Sequence, residues 1–224
     1  MKLYHGTCER VAKVAVYAGL KPRGIRKGNY AHTVESNTKG VYLTDSAFAL
    51  HFAGNATRFP ADGRLAIIEI DQTKLHPLSL FADEDAAEQR IAADPTLTRE
   101  QRTRFFRDRL IDLSMNGFGW QESLDTLGTC SHIGEIIPRA MTRVAYINRD
   151  ARLLLMLNGV DPTISSMNRK FLGEHYKKMI GCIFGDDTPD QPSGDPLQDL
   201  LHRRSAIHPE VWAEIRKGIE VLNT

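Results

Sequence analysis

The chain has only three cysteines, Cys8, Cys130 and Cys182, an odd number with no CxxC spacing. A disulfide framework and a zinc site are therefore poor readings, and a reducing compartment suits the chain best. Long apolar runs are also lacking. Leu153–Leu157 falls far short of the roughly 20 residues that span a bilayer. The opening Met1-Lys2-Leu3-Tyr4-His5-Gly6-Thr7 has no apolar stretch of signal-peptide length. The expectation is a cytoplasmic protein with no membrane partner. Nor is there a charge excess: 29 Lys and Arg against 28 Asp and Glu leave +1. That removes the bulk electrostatic case for a nucleic-acid or lipid partner, while local patches stay open.

What is present is an ordinary globular balance, 42% hydrophobic and 25% charged over 224 residues. Such a chain buries a core of its own without covalent staples. Its length suits one domain with a substantial appendage.

The pattern predicts a strand ending at His5-Gly6-Thr7. A helix carrying Val11, Val14, Ala15 and Ala18 follows and stops at Gly19 and Pro22. Residues 21–40 read as a long polar loop. Gly40-Val41-Tyr42-Leu43-Thr44 is a short strand, and Asp45 or Ser46 can cap a helix with Ala47, Leu50, His51 and Ala53. Leu65–Ile70 is the clearest strand. A charged helical stretch from Asp83 to about Leu113 and a glycine-punctuated connection from Gly117 to Gly128 follow. Strands are then predicted at Ile133–Ile137 and Val144–Ile147, and none beyond Asp150. Helices at Leu153–Leu157, Ile164–Phe184 and Glu210–Leu222 complete the chain, with a flexible Gly185–Pro196 loop. The class is α+β: a unit over 1–150 and a helical C-terminal extension over 151–224.

Three short motifs each put a polar residue at or near a strand end: His5-Gly6-Thr7, Tyr42-Leu43-Thr44-Asp45 and Gly134-Glu135-Ile136. Singly, each has a plain reading: a turn histidine, a packed tyrosine, a solvent-facing glutamate. In this order, with Ala47, Ala49, Phe52 and Ala53 behind the second and Val144-Ala145-Tyr146-Ile147 behind the third, the chain resembles the ADP-ribosyltransferase superfamily. The similarity is to its His-Tyr-Glu branch, which includes the diphtheria-toxin-like and poly(ADP-ribose) polymerase enzymes, and covers about residues 1–150.

The resemblance implies split antiparallel β-sheets with flanking helices and NAD, as co-substrate, in the cleft between them. It implies that His5 bonds a ribose hydroxyl and that the Gly6 backbone, beside Thr7, pairs with the nicotinamide carboxamide. Tyr42 would stack on the nicotinamide ring. Phe52 would close the other side of that sandwich, its alternative being core packing. Glu135 would stabilise the oxocarbenium-like ribose as the nicotinamide leaves. The implied activity is mono-ADP-ribosyl transfer to a macromolecular acceptor, protein, RNA or DNA. A bacterial or phage toxin, effector or defence enzyme would use it, and a neutralising partner protein could bind the tail. Ile133, two residues before Glu135, stands where arginine-modifying relatives carry an acid or amide, which argues against arginine as acceptor. No metal site is expected.

Two other classes stay open. An RNA 2'-phosphotransferase shares the fold and uses NAD, but relies on more basic catalytic residues. A non-catalytic nucleotide-binding or interaction module is disfavoured by His5, Tyr42 and Glu135 together. The segment Arg99, Arg102, Arg104, Arg107 and Arg109 with Phe105 and Phe106 could grip a phosphate backbone. However, Glu100, Asp108 and Asp112 interleave it, and a solvated helix face is the plainer reading. Arg23, Arg26, Lys27 and Lys39 could neutralise the NAD pyrophosphate. His202-Arg203-Arg204 with His208 has no metal spacing, and Gly181–Gly185 lacks the ending of a phosphate loop.

Overall fold

A computed structural model describes residues 1–22, 24, 38–84, 94–101, 119–158, 160, 169–195, 197 and 206–224. Within them the chain is α+β, built on two antiparallel sheets. The larger sheet holds β1 (Lys2–Cys8), β3 (Leu65–Asp71), β6 (Met141–Ile147) and β7 (Ile219–Asn223), in that order. In the smaller, β5 (Cys130–Ile133) lies between β2 (Gly40–Leu43) and β4 (Leu80–Ala82).

β3 shows why the larger sheet is central. It pairs with β1 along one edge and β6 along the other, a core packs on each of its faces, and Leu65, Ala66, Ile67, Ile68 and Ile70 are all fully buried. That double burial is the cause of an apolar run broken only at Glu69. Leu65 and Ile67 face a core shared with α2 (Ala49–Ala56), α4 (Arg149–Leu157), α5 (Arg169–Phe184) and α6 (Pro209–Lys217). Ala66, Ile68 and Ile70 face a second core with α1 (Glu9–Ala18), Val41, Leu43 and Cys130. Glu69 is the polar exception. Burial alone would raise its pKa, but hydrogen bonds from Arg143, Thr142 and Lys2 outweigh it and hold the carboxyl below its ordinary value.

The predicted first strand, first helix and the strands around Leu65 and Val144 are present with small shifts of boundary. Four expectations change. Residues 120–127 form a helix, α3 (Trp120–Leu127), rather than a connection, because Ser123, Leu124 and Leu127 recur on one buried face. The strand expected at Ile133–Ile137 lies earlier, at Cys130–Ile133. Gly134 takes φ +95°, a left-handed conformation that ends the extended run before Glu135. Neither Asp45 nor Ser46 caps α2. Phe48 stands at that position, and Ser46 Oγ accepts from its N–H (3.3 Å) in the turn before the helix.

The fourth change is at the end of the chain. The helix expected at Glu210–Leu222 stops at Lys217, and Ile219–Asn223 is a strand, β7, paired along β6 from Ile147↔Ile219 to Arg143↔Asn223. The extension over 151–224 is thus not helical throughout. The loop predicted at 21–40 and the helix at 83–113 lie largely outside the described residues. Among the described residues, no helix is long and apolar enough to cross a membrane.

Candidate functional site

The two sheets part at β1 and β2. Tyr4 and Thr44 exchange both backbone hydrogen bonds, N–H of Tyr4 to Thr44 O at 2.7 Å and N–H of Thr44 to Tyr4 O at 3.0 Å. Beyond that rung β1 follows β3 while β2 follows β5. In an antiparallel ladder, backbone groups alternate between the two sides of a strand. Tyr4 turns its groups to β2. Glu9 bonds across to Arg64 O (2.8 Å), and Met1 O accepts from Gln72 N–H (3.2 Å), so the odd-numbered residues serve the β3 side. The N–H and C=O of Gly6 therefore point into the opening between β1 and β2. Gly6 is buried there, and by this alternation its two groups are not spent on β3.

Gly6 has a second constraint. A Cβ on it would sit 2.0 Å from Ala49 O and 2.6 Å from Ala53 N, so α2 lies directly on this strand. The same alternation places Tyr4, Gly6, Tyr42 and Thr44 on the face that α2 covers, and Leu3, His5 and Thr7 on the other.

His5 is half-buried, and its Nδ1 lies 2.9 Å from Tyr42 O. A carbonyl only accepts, so Nδ1 carries the proton. In the neutral ring, Nε2 is then the acceptor. Burial pushes the imidazolium pKa below its ordinary value against the opposing pull of the Tyr42 carbonyl, so the neutral form holds near pH 7. Thr7 is buried on the same face.

The Tyr42 phenol, on the opposite face, donates to Glu84 Oε2 at 2.6 Å. Sequence reasoning missed Glu84. It stands two residues beyond β4, at the far edge of the smaller sheet, and nothing in Ala82-Asp83-Glu84 marks it. Phe52 is partly exposed on α2, with its ring edge-on to Phe48 at 5.0 Å and to His51 at 5.8 Å. It belongs to an aromatic cluster at the surface of that helix, while Phe48 fills the buried position.

Glu135 lies apart from these groups. It is exposed on the connection after β5, and its Oε1 is 2.1 Å from the place a Gly19 Cβ would occupy. Gly134 N–H bonds Lys39 O (2.9 Å), and Ile136 bridges Leu20. Glu135 is thus at the Lys39 end of β2, about 10 Å along the strand from Tyr42 at 3.3 Å per residue. The structure brings the His5 ring to the Tyr42 backbone beside Gly6, sets the Tyr42 phenol on the opposite face and places Glu135 at the Lys39 end of β2. Arg23, Arg26, Lys27, Arg102 to Arg109 and His202 to Arg204 lie outside the described residues.

Just past the rung, Asp45 is nearly buried and paired with Lys177 Nζ at 3.1 Å. Burial raises its pKa despite that cation. A cavity of about 210 Å³ opens here, lined by Asp45, Ser46, Phe48, Leu127, Tyr176 and Lys177 among others. A wider groove of about 500 Å³ lies at the far end of the larger sheet, over Lys2, Glu69, Thr142 and Arg143. Neither is lined by His5, Gly6 or Glu135. The inward-turned Gly6 edge is the better pointer to chemistry, because the charged groups of the wider groove already satisfy one another. Among the described residues, no group of three or more His, Cys, Asp or Glu is placed to hold a metal ion.

No known family matches the chain, and no curated protein matches it. Among solved structures it is similar to EcPltA at a TM-score of 0.35 and 9% identity, over 67% of this chain and 79% of that one. A likeness of that size carries no argument about fold family or function.

Proposed function

We propose that the chain is an NAD-dependent mono-ADP-ribosyltransferase whose substrate enters between β1 and β2. The observation that carries this reading is the buried Gly6 edge, which turns one N–H donor and one C=O acceptor into that opening. A primary carboxamide is the complementary pair, an acceptor beside a donor. NAD would supply that carboxamide and a ribose–nitrogen bond that breaks with a neutral leaving group.

In this reading Gly6 orients the nicotinamide through two backbone bonds and Tyr42 stacks on its ring. Phe52 covers the opposite side from α2. His5, with its proton fixed on Nδ1 by Tyr42 O, offers Nε2 to a ribose hydroxyl. As the nicotinamide departs with the bonding electron pair, the ribose becomes cationic, and a nearby carboxylate stabilises it. An acceptor nucleophile from protein, RNA or DNA then takes the ribose carbon and gives up its proton. Two carboxylates stand nearest these groups, Glu135 beside Gly19 at the Lys39 end of β2 and Glu84, which the Tyr42 phenol reaches across β5. The sequence pattern favours Glu135 for this step.

The test is incubation with labelled NAD and, separately, protein extract, RNA and DNA, while free nicotinamide is followed. Label in one pool names the acceptor class. Phosphate release from 2'-phosphorylated RNA without label transfer would favour the phosphotransferase reading instead. Glu135→Gln is expected to slow nicotinamide release by at least about a hundredfold, the usual cost of losing a preorganised charge. Near-normal release would remove Glu135 from the role and leave Glu84.

A further inference from the structure

We infer that Glu84 is a positioning residue of this site: its carboxylate holds the Tyr42 phenol and so fixes the ring on which a pyridinium stacks. The inference rests on the proposed NAD reading and adds a residue to it. Tyr42 and Glu84 come from opposite edges of the smaller sheet, across β5. Strands are about 4.8 Å apart, so the two side chains bridge about 10 Å over the middle strand. The register puts Ser131 between them, opposite Tyr42 on one side and Phe81 on the other. Its side chain is small and turned to Ala82 O (3.3 Å), which leaves the phenol room to lie across it.

The chain leaving β4 is itself fixed. Asp83 N–H donates to Ser123 Oγ (2.9 Å), and that hydroxyl donates to Thr129 O (2.7 Å), both in the buried contact between α3 and the sheet. Glu84 therefore projects from an anchored backbone. Two consequences follow for a cationic ring. The phenol's rotation about its own axis is restrained by a hydrogen bond at its tip, which lowers the ordering cost of stacking. A carboxylate at the hydroxyl also adds negative charge on the phenol side of the ring, and a cation over an aromatic face responds to that charge.

The experiment is calorimetric titration of NAD into wild-type protein, Tyr42→Phe, Glu84→Ala, Glu84→Gln and the Tyr42→Phe/Glu84→Ala double variant. Nicotinamide release is followed in parallel. Tyr42→Phe and Glu84→Ala are each expected to weaken binding by about tenfold, the worth of one charge-assisted hydrogen bond. The double variant should bind no worse than either single one, because both remove the same bond. Glu84→Gln still offers an oxygen to the phenol and should recover most of the affinity. Wild-type affinity in Glu84→Ala, or losses that multiply in the double variant, would overturn the inference. So would a Glu84→Gln protein that binds NAD normally but releases nicotinamide a hundredfold more slowly, since Glu84 would then be a reacting carboxylate. Should Glu84→Ala not fold, Glu84→Asp, one methylene too short for the phenol, takes its place in the same comparison. A wild-type protein that does not bind NAD overturns the parent proposal, an outcome distinct from all of these.

Discussion

Gly6 shows two demands meeting at one residue. The proposed function has a ligand's carboxamide at its backbone; the structure shows the close seat of α2, with Ala49 O and Ala53 N inside the volume a methyl would need. Both intruding atoms are backbone, so neither can swing aside. Gly6→Ala is expected to destabilise the protein by about 3 kcal/mol, at the upper end of overpacking costs. Chemical denaturation checks this, and an unchanged midpoint would show that α2 can lift off β1 freely. Glu84 is the opposite case at this scale. A glutamate after a three-residue strand has no period, cap or motif to announce it, and only the fold brings it to Tyr42. The strand positions of His5, Gly6 and Tyr42 were legible because the apolar residues around them alternate or run together as strands do. Glu135 was read from the order of motifs, and order alone does not fix where a carboxylate sits along a strand.

Among the elements, legibility followed burial. β3 and β6 announce themselves through apolar runs. β4 is too short to show alternation. β7 was read as helix because Val221 and Leu222 extend the apolar spacing of Val211, Trp212 and Ile215, and neither run nor spacing records that β6 still lacked a neighbour. What ties these elements at their ends is charge. Arg64, ahead of β3, bonds Glu9 of α1 (Nε to Oε2, 3.0 Å) and Glu220 of β7 (2.7 Å). Arg143 of β6 bonds Glu69 of β3 and Asp186 beyond α5. The Arg64 guanidinium holds Glu9 at about 2, and the Arg143 guanidinium holds Asp186 at about 2. Both lie below their unfolded values of about 4.3 and 3.9. The native state therefore binds fewer protons than the unfolded chain as pH falls through this window. The stability these groups contribute is complete above about pH 5 and disappears toward pH 2. The melting temperature should fall across that interval, and Glu9→Gln should fall less steeply. A flat wild-type profile would show that the ties contribute nothing.

The whole molecule depends on its last third. Leu155, Val160, Tyr176, Met179, Ile183, Ile207, Ile215 and Ile219 share one core with Tyr4, Leu65, Ile67 and Ala145. α5 also ties down the turn after β2: Tyr176 O accepts from Ala47 N–H (2.9 Å), and Lys177 pairs with Asp45. Residues 1–150 expressed alone would leave β6 an open edge and one face of the larger sheet bare. They are expected to aggregate or to lack a cooperative melt, and a soluble fragment with a sharp transition would show that 151–224 is separable. The position of Gly6 has a further consequence for how such a protein can change. Because the lip of the opening and the bed of a helix are one residue, a substitution there cannot close the opening and spare the scaffold. A descendant that lost the proposed activity and kept its fold would have to arise through the rings and carboxylates around it, while the glycine stayed behind.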